Sequence, residues 1–304
     1  MSSMDPAFTE SDVAFTQKFS IFYDAKDNEF NVHKMNAYDL GTSILEIAKM
    51  VYKADELLNG KDKSIELQVT APAREGSFAI DFLLKIIDSK SVNVLKYLGF
   101  SEESSQIRFG DALTVARSLR GERIISIVTE TGSDIAKIQL DDKTVECNKF
   151  VAALVANDEI RKGMNEVITQ PLSGKDTPVF RVEVNDVEVV RLEGAPTQEF
   201  TPLPRNSLAH SKSKTEIANV SITQINFEGA SGWRMLYDGK ERAVRMDDQS
   251  FMTRIKDNAK SFTKGDMFEV QLEIIEKSTA KSDRTQFVIT HVIRHRALAE
   301  RKIV

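Results

Sequence analysis

The feature that most constrains the fold is the order of patterned segments between residues 216 and 295. Three strand-like segments precede a short helix, and two further strand-like segments follow it. The strands are predicted at 216–227, 233–237, 240–246, 268–274 and 286–295, and the helix at about 247–258. Asp238-Gly239, between the second and third strands, favours a type I′ hairpin turn. This order predicts a five-stranded Greek-key barrel of the OB type, with its helix between strands three and four.

Two details of the predicted barrel concern which side chains face its core. The apolar residues of the first strand change parity near Thr223-Gln224, which indicates a β-bulge that lets the strand serve both sides of a curved sheet. In the last strand, Phe287, Ile289 and Ile293 share one parity. Residues 277–284 form a polar segment and are predicted to be the loop between strands four and five.

The first 193 residues predict an α+β domain built from antiparallel strands and helices. Strands are predicted at 15–23, 29–32, 65–71, 78–86, 124–129, 135–140, 144–147, 180–184 and 187–191. A long helix is predicted at about 37–59, ending at Gly60, and helical segments are expected at 89–120, with a break around 99–104, and at 148–156 and 158–169. The segments 15–23 and 29–32 are predicted to form the first hairpin.

The composition of the chain suggests where the domains divide. Residues 194–213 contain Pro196, Pro202 and Pro204 with several Ser and Lys, and they predict an extended linker. The predicted division is a disordered start at 1–13, the α+β domain at 14–193, this linker, the barrel at 214–297 and a tail at 298–304.

Composition and charge limit the class of protein. Hydrophobic residues make up 41% and charged residues 29% of the 304, which is typical of a soluble protein, and no membrane span or secretory leader is predicted. One cysteine, Cys147, favours a reducing, cytoplasmic setting. From residue 206 onward, 17 Lys and Arg face 13 Asp and Glu, whereas the preceding residues carry 24 against 33. This asymmetry points weakly to an anionic partner for the C-terminal part, or is chance.

The sequence shows no recognisable catalytic, phosphate-loop or zinc motif. His291 and His295 lie four residues apart on a predicted strand, about 13 Å by rise, so a shared metal ion would require a bulge. Cys147 has no flanking nucleophile signature and is predicted to be a buried structural residue. No metal or cofactor is therefore predicted, and an enzyme is less expected than a binding protein.

Nine residues of the predicted barrel are candidates for a binding surface, because OB domains bind ligands on strands two and three and in the flanking loops. Aromatic rings can stack on bases, and Lys and Arg can attract phosphates. The candidates are Trp233, Arg234, Tyr237, Lys240, Arg242, Arg245, Lys277, Lys281 and Arg284. The alternative is that Trp233 and Tyr237 fill the barrel and that the Arg residues form a solvated outer face.

Two groups of residues carry a resemblance to a known family. The first is Leu57-Leu58-Asn59-Gly60, the strand 65–71 and the segment 75–81, and the second is Gly232-Trp233-Arg234, Asp248, Phe251, Gly265-Asp266 and a final Val-Ile-Arg-His strand. In these features the chain resembles a widespread family of uncharacterised bacterial proteins, often encoded in accessory or mobile-element loci. The resemblance implies a bacterial, cytosolic setting and a phage-defence or mobile-element context. It implies no catalytic residues.

Together these observations predict a non-catalytic binding or scaffolding component of a multi-protein bacterial system, with the barrel engaging a protein or a nucleic acid. The first alternative is a single-stranded nucleic-acid-binding protein, and the second is an enzyme with an unrecognised carboxylate site in the N-terminal domain. Open strand edges in that domain predict a homo-oligomer, most simply a two-fold dimer.

Overall fold

The computed structural model describes residues 13–26, 34–60, 64–74, 77–88, 90–129, 132–257 and 266–296. The chain divides into two compact units, with the boundary between Ser207 and Leu208. The predicted strand 29–32, the predicted start before residue 13 and the predicted tail at 298–304 lie outside the described residues. In the part of the chain that the structure describes, no helix is both long and apolar enough to cross a membrane.

The first unit contains two antiparallel sheets. The five-stranded sheet has the order β2-β3-β1-β7-β8, and the three-stranded sheet has the order β4-β5-β6. The strands are β1 Phe15–Asp24, β2 Ile65–Arg74, β3 Ser77–Ile86, β4 Ser126–Thr129, β5 Ile135–Gln139, β6 Thr144–Asn148, β7 Val179–Val184 and β8 Val187–Glu193. The predicted antiparallel α+β fold is thus confirmed.

Helices of the first unit pack against these sheets. They are α1 Ala37–Asn59, α2 Val94–Leu98, α3 Ala112–Ser118, α4 Lys149–Val155 and α5 Asp158–Met164, with a 3-10 turn at Glu102–Gln106 and a π-helical turn at Asn165–Thr169. The Asn36 side chain caps α1 by accepting a hydrogen bond from the Tyr38 N–H, and Gly60, with φ of 98°, ends the helix as predicted. The α1 face that carries Ile47, Met50 and Val51 is fully buried.

The segment predicted as an extended linker, 194–213, is not a linker. Its first part forms a 3-10 turn at Ala195–Gln198 and buries Phe200 and Leu203 in the first unit. The Asn165 Nδ2 group donates to the Phe200 carbonyl at 2.8 Å, and the buried Arg161 Nε donates to the Thr201 carbonyl at 3.1 Å. Residues from His210 already belong to the first barrel strand. The linker prediction is wrong because the few apolar side chains of the segment, Phe200 and Leu203, anchor it in the core of the first unit despite its prolines.

The second unit is a closed five-stranded barrel. Its strands are β9 His210–Gln224, β10 Trp233–Tyr237, β11 Lys240–Met246, β12 Met267–Ser278 and β13 Asp283–Arg296, and helix α6 spans Gln249–Lys256. The closed order is β10-β11-β13-β12-β9, in which β11 and β13 are parallel. This order, with the helix between the third and fourth strands, is the OB arrangement predicted from the sequence.

Bulges explain where the predicted strand parities hold and where they fail. Arg234 pairs with Gln224 and Met235 with Ile222, so Thr223 is the extra residue of the predicted bulge. Two further register shifts leave Thr290 and Ile293 unpaired in β13. The shift at Ile293 turns this residue to solvent, although it shares one parity in the sequence with the buried Ile289.

The predicted polar loop at 277–284 is also shorter than expected. Lys277 pairs with Arg284 and Ser278 with Asp283, so β12 and β13 take up half of this segment. Thr279–Ser282 alone connects them, because the Thr279 N–H donates to the Ser282 carbonyl and closes a tight turn. Lys277 and Arg284 therefore sit on paired strands that hold their backbones in place, whereas Lys281 lies in the turn.

Candidate nucleic-acid interface

Trp233 belongs to the barrel core. Its side chain is 1% exposed, it packs with Met235, Val244 and Phe251, and its indole Nε1 donates to the Gly229 carbonyl at 2.9 Å. A buried indole whose N–H is satisfied stabilises the barrel and has no free face for a base. For this residue the structure agrees with the alternative interpretation of the sequence, in which the aromatic side chain fills the barrel.

A groove of about 580 Å³ opens on the surface of the barrel. The β9–β10 connection, the start of β10 and the end of β11 form one side, and the β12–β13 hairpin forms the other. Four predicted site cations line it: Arg234, Arg245, Lys277 and Arg284. None of the described residues that line the groove is Asp or Glu. The groove is therefore a concave surface with an excess of positive charge.

The groove exists because β11 and β13 pair over only a short stretch. Arg245 lies opposite Val288 and Met246 opposite Ile289, and no further pair between these strands is formed among the described residues. The stretch of β13 from Arg284 to Phe287 is therefore paired with β12 alone, and its other edge borders the groove. Parallel strands that diverge in this way leave room for an extended ligand between them.

The four cations of the groove differ in how strongly acidic neighbours hold them. Arg234 pairs with Glu241 at 3.1 Å, and Arg245 Nε lies 2.6 Å from Asp247 Oδ1. The Glu241 pKa lies below its ordinary value, first because Thr223 donates a hydrogen bond to its carboxylate and then because of Arg234. Lys277 and Arg284, in contrast, form no ion pair or side-chain hydrogen bond with any described residue.

The remaining predicted site residues lie outside the groove. The Tyr237 hydroxyl donates to Glu216 Oε1 at 2.6 Å, and this bond is the main reason why the tyrosine pKa is raised. Lys240 is exposed beside the Asp238-Gly239 turn. Lys281 lies in the β12–β13 turn. Tyr237, Lys240 and Lys281 therefore do not line the groove.

Arg242 lies on the inward face of β11 and does not line the groove. It pairs across the hairpin with Met235, so it shares the inward face, and its guanidinium carbon lies 5.8 Å from the centre of the Phe287 ring. Phe287 is half-buried and also lines the groove. The sequence pattern shows only that it shares one parity with Ile289. Parity could not identify it as a groove residue, because the groove depends on where β11 and β13 part.

The two histidines of β13 contact separate carboxylates. His291 Nδ1 lies 3.0 Å from Asp248 Oδ2, and His295 Nε2 lies 2.8 Å from Asp266 Oδ2. Within the described ranges, no group of three or more His, Cys, Asp or Glu side chains could hold a metal ion. The bulge at Ile293 does occur between the histidines, but it does not bring them to a common site.

Asp248 joins three parts of the barrel. Its Oδ1 accepts hydrogen bonds from the Ser250 hydroxyl and the Phe251 N–H at the start of α6, and its Oδ2 accepts one from the Val292 N–H. Burial acts to raise its pKa, but these hydrogen bonds and His291 outweigh burial and lower the pKa. Asp248 therefore serves as a charged structural cap rather than as a free acid.

Cys147 has the properties of an inert structural thiol. It is fully buried in β6, opposite Ala136, and burial raises its pKa to about 11. A nucleophilic cysteine requires a lowered pKa and access to its substrate.

Comparisons with protein-family models, curated proteins and solved structures find no match for this chain.

Proposed function

We propose that the protein is a non-catalytic binding module whose C-terminal barrel holds single-stranded nucleic acid in the basic groove. The observation that carries the proposal is the lining of that groove by Arg234, Arg245, Lys277 and Arg284, without a described carboxylate among the lining residues. A positive groove that follows a flexible backbone is what single-strand binders share. The proposal retains the multi-protein bacterial setting that the resemblance implies.

Phosphate attraction provides most of the expected affinity. Lys277 and Arg284 are available to phosphates without first breaking an ion pair with a described residue. Arg234 and Arg245 must exchange Glu241 and Asp247 for phosphate oxygens, so each contributes less net free energy. Binding of this kind depends weakly on sequence and falls as counterions are added.

Base stacking is a smaller part of the proposed interaction. Trp233 is buried, and Phe287 presents only part of its ring to the groove. Phe227 lies in the β9–β10 connection that borders the groove and is an exposed aromatic residue. An available ring adds about 1–3 kcal/mol per stacked base. We therefore expect Phe227 to be the main stacking side chain.

A second candidate ligand is an extended acidic peptide. The edge of β13 from Arg284 to Phe287 has no ladder partner on the groove side among the described residues. A peptide strand could add to this edge through main-chain hydrogen bonds while its carboxylates meet the same cations. This ligand would place the protein in a scaffold, as the sequence also predicts.

Binding of a fluorescent thymidine oligonucleotide to the full chain at low salt tests the proposal. The double variant Lys277→Glu, Arg284→Glu should lose roughly tenfold or more in affinity, because two attractive charges become repulsive. The matched control Lys18→Glu, Lys162→Glu changes the charge equally at two exposed residues of the first unit, neither of which lines the groove, and should lose little.

Equal losses in the two double variants would contradict binding in the groove. If the wild-type chain binds no oligonucleotide but binds an acidic peptide in a manner that Arg284→Glu abolishes, the second candidate replaces the first.

A further inference from the structure

Helix α1 exposes a stripe of large side chains on the face opposite its buried one. Tyr38 is 79%, Leu45 53% and Tyr52 39% exposed, although each is large and mostly apolar. They lie seven residues apart, which places them on one face over about 21 Å of helix. Tyrosine and leucine at this spacing are typical of a helix that packs against another helix.

Small residues separate the large ones along the same stripe. Gly41 lies between Tyr38 and Leu45 and has open space where a side chain would project. Ala48 lies between Leu45 and Tyr52 and is half-buried. This alternation leaves hollows that large side chains of a facing helix can fill. Tyr52 is held in place because its hydroxyl accepts a hydrogen bond from the Leu67 N–H of β2.

The stripe is symmetric about Leu45. A two-fold axis through this residue, with the helices antiparallel, places Tyr38 of one chain beside Tyr52 of the other. The same register brings Lys34, just before α1, opposite Glu56 of the second copy, where it would join the pair that Glu56 forms with Lys53 of its own helix at 2.9 Å. A two-fold interface requires this kind of self-complementary surface.

We propose that α1 is a homodimer interface, in which the helix packs antiparallel against α1 of a second copy of this chain. The outer strands of the five-stranded sheet are less suited to this role than the sequence predicts. Strand β2 contains Pro72 and two register shifts, and β8 contains a shift at Val189 and the charged residues Glu188 and Arg191. These features discourage edge-to-edge pairing.

Cysteine cross-linking tests the interface on the natural background, because the only cysteine, Cys147, is fully buried. Under mild oxidation Leu45→Cys should form a disulfide-linked dimer, since the axis passes through this position. Leu57→Cys is the matched control, because Leu57 is also an exposed leucine of α1 but lies away from the stripe. Cross-linking of both variants to the same extent, or of neither, would overturn the proposal.

A second cross-linking experiment tests whether the two copies of α1 are antiparallel. A mixture of Tyr38→Cys and Tyr52→Cys chains should give the mixed cross-link, and Tyr38→Cys alone should give little. A dominant cross-link of Tyr38→Cys with itself would overturn the antiparallel arrangement.

Light scattering at micromolar concentration measures the assembly without a cross-link. The wild-type chain should show twice its 34.1 kDa mass, and so should Leu57→Arg. Leu45→Arg should show the single-chain mass with an unchanged circular dichroism spectrum. A wild-type monomer, or a dimeric Leu45→Arg, would overturn the proposal.

Discussion

The five-stranded sheet and the barrel show two different relations between sequence and structure. In the barrel, β9, β10 and β11 follow one another in both sequence and space, and a single hairpin joins β12 to β13. In the first unit, the central strand β1 pairs with β3 and with β7, which lies more than 150 residues later. Local patterns predict the successive strands and hairpins of the barrel, although its closure pairs β9 with β12 over separations of 46 to 68 residues. The pairing of β1 with β7 spans a greater distance, and no local pattern encodes it.

Two cations of the barrel groove contrast with many surface cations of the first unit. In the first unit many surface Lys and Arg side chains pair with carboxylates, for example Lys96 with Glu103 and Lys149 with Asp134. In the barrel groove, Lys277 and Arg284 have no such partner among the described residues. Exposed pairs of the first kind contribute little to stability. We propose that the unpaired cations of the groove bind an anionic ligand instead.

Trp233→Ala should have the largest effect on stability. It removes the largest buried side chain of the barrel and should lower the free energy of unfolding by about 3–5 kcal/mol. Urea unfolding followed by circular dichroism measures the loss. The control Leu236→Ala, on the same strand but exposed, should stay within about 0.5 kcal/mol. Weaker oligonucleotide binding without a loss of stability would show that Trp233 serves the ligand instead.

Gly163→Ala should destabilise the first unit by a smaller amount. A Cβ atom at this position would lie 2.3 Å from Met50 Cγ, and both residues are buried between α1 and α5. Forcing extra volume into such a site costs about 1–3 kcal/mol. Thermal unfolding of Gly163→Ala, Met50→Ala and the double variant measures the coupling, because removing the Met50 side chain should relieve the clash. Strictly additive losses would contradict this packing.

Asp248 should give the smallest change, and one that depends on pH. Asp248→Ala removes the α6 cap and should cost about 1–2 kcal/mol at neutral pH. Because folding lowers the Asp248 pKa, the charged form stabilises the barrel above the unfolded-state pKa of about 3.9, and this contribution is lost as pH falls through the folded-state pKa. The stability gap between wild type and Asp248→Asn should therefore shrink below about pH 4. A gap that stays constant in acid would contradict the role of the charge.

The sequence predicts most of the barrel because its signals are local. The type I′ turn at Asp238-Gly239 has φ values of 50° and 69°, and the bulge at Thr223 lies where the parity changes. The exposure of Ile293 could not be predicted, because the bulge beside it depends on its pairing with β12. The packed segment around Phe200 was missed for a similar reason, since its partners Asn165 and Arg161 lie about 35 to 40 residues away.

The sequence predicts which types of residue form the candidate site, but it predicts only in part where the structure places them. Arg234, Arg245, Lys277 and Arg284 were identified by their place on the expected ligand face of the barrel, and the structure brings them to one groove. The sequence predicts Arg242 as a site residue because the alternating pattern of β11 does not show which parity faces inward. Phe287 was missed because the divergence of β11 and β13 is a tertiary feature.

The salt dependence of oligonucleotide binding by the full chain tests the central claim most directly. For single strands, each phosphate that a cation neutralises contributes about −0.7 to the slope of log association constant against log salt concentration. Lys277→Ala with Arg284→Ala should therefore reduce the steepness by roughly 1.4, whereas Lys18→Ala with Lys162→Ala should leave it unchanged. A slope that is the same in all three proteins, or affinity that does not change with salt, would contradict a nucleic-acid groove on the barrel.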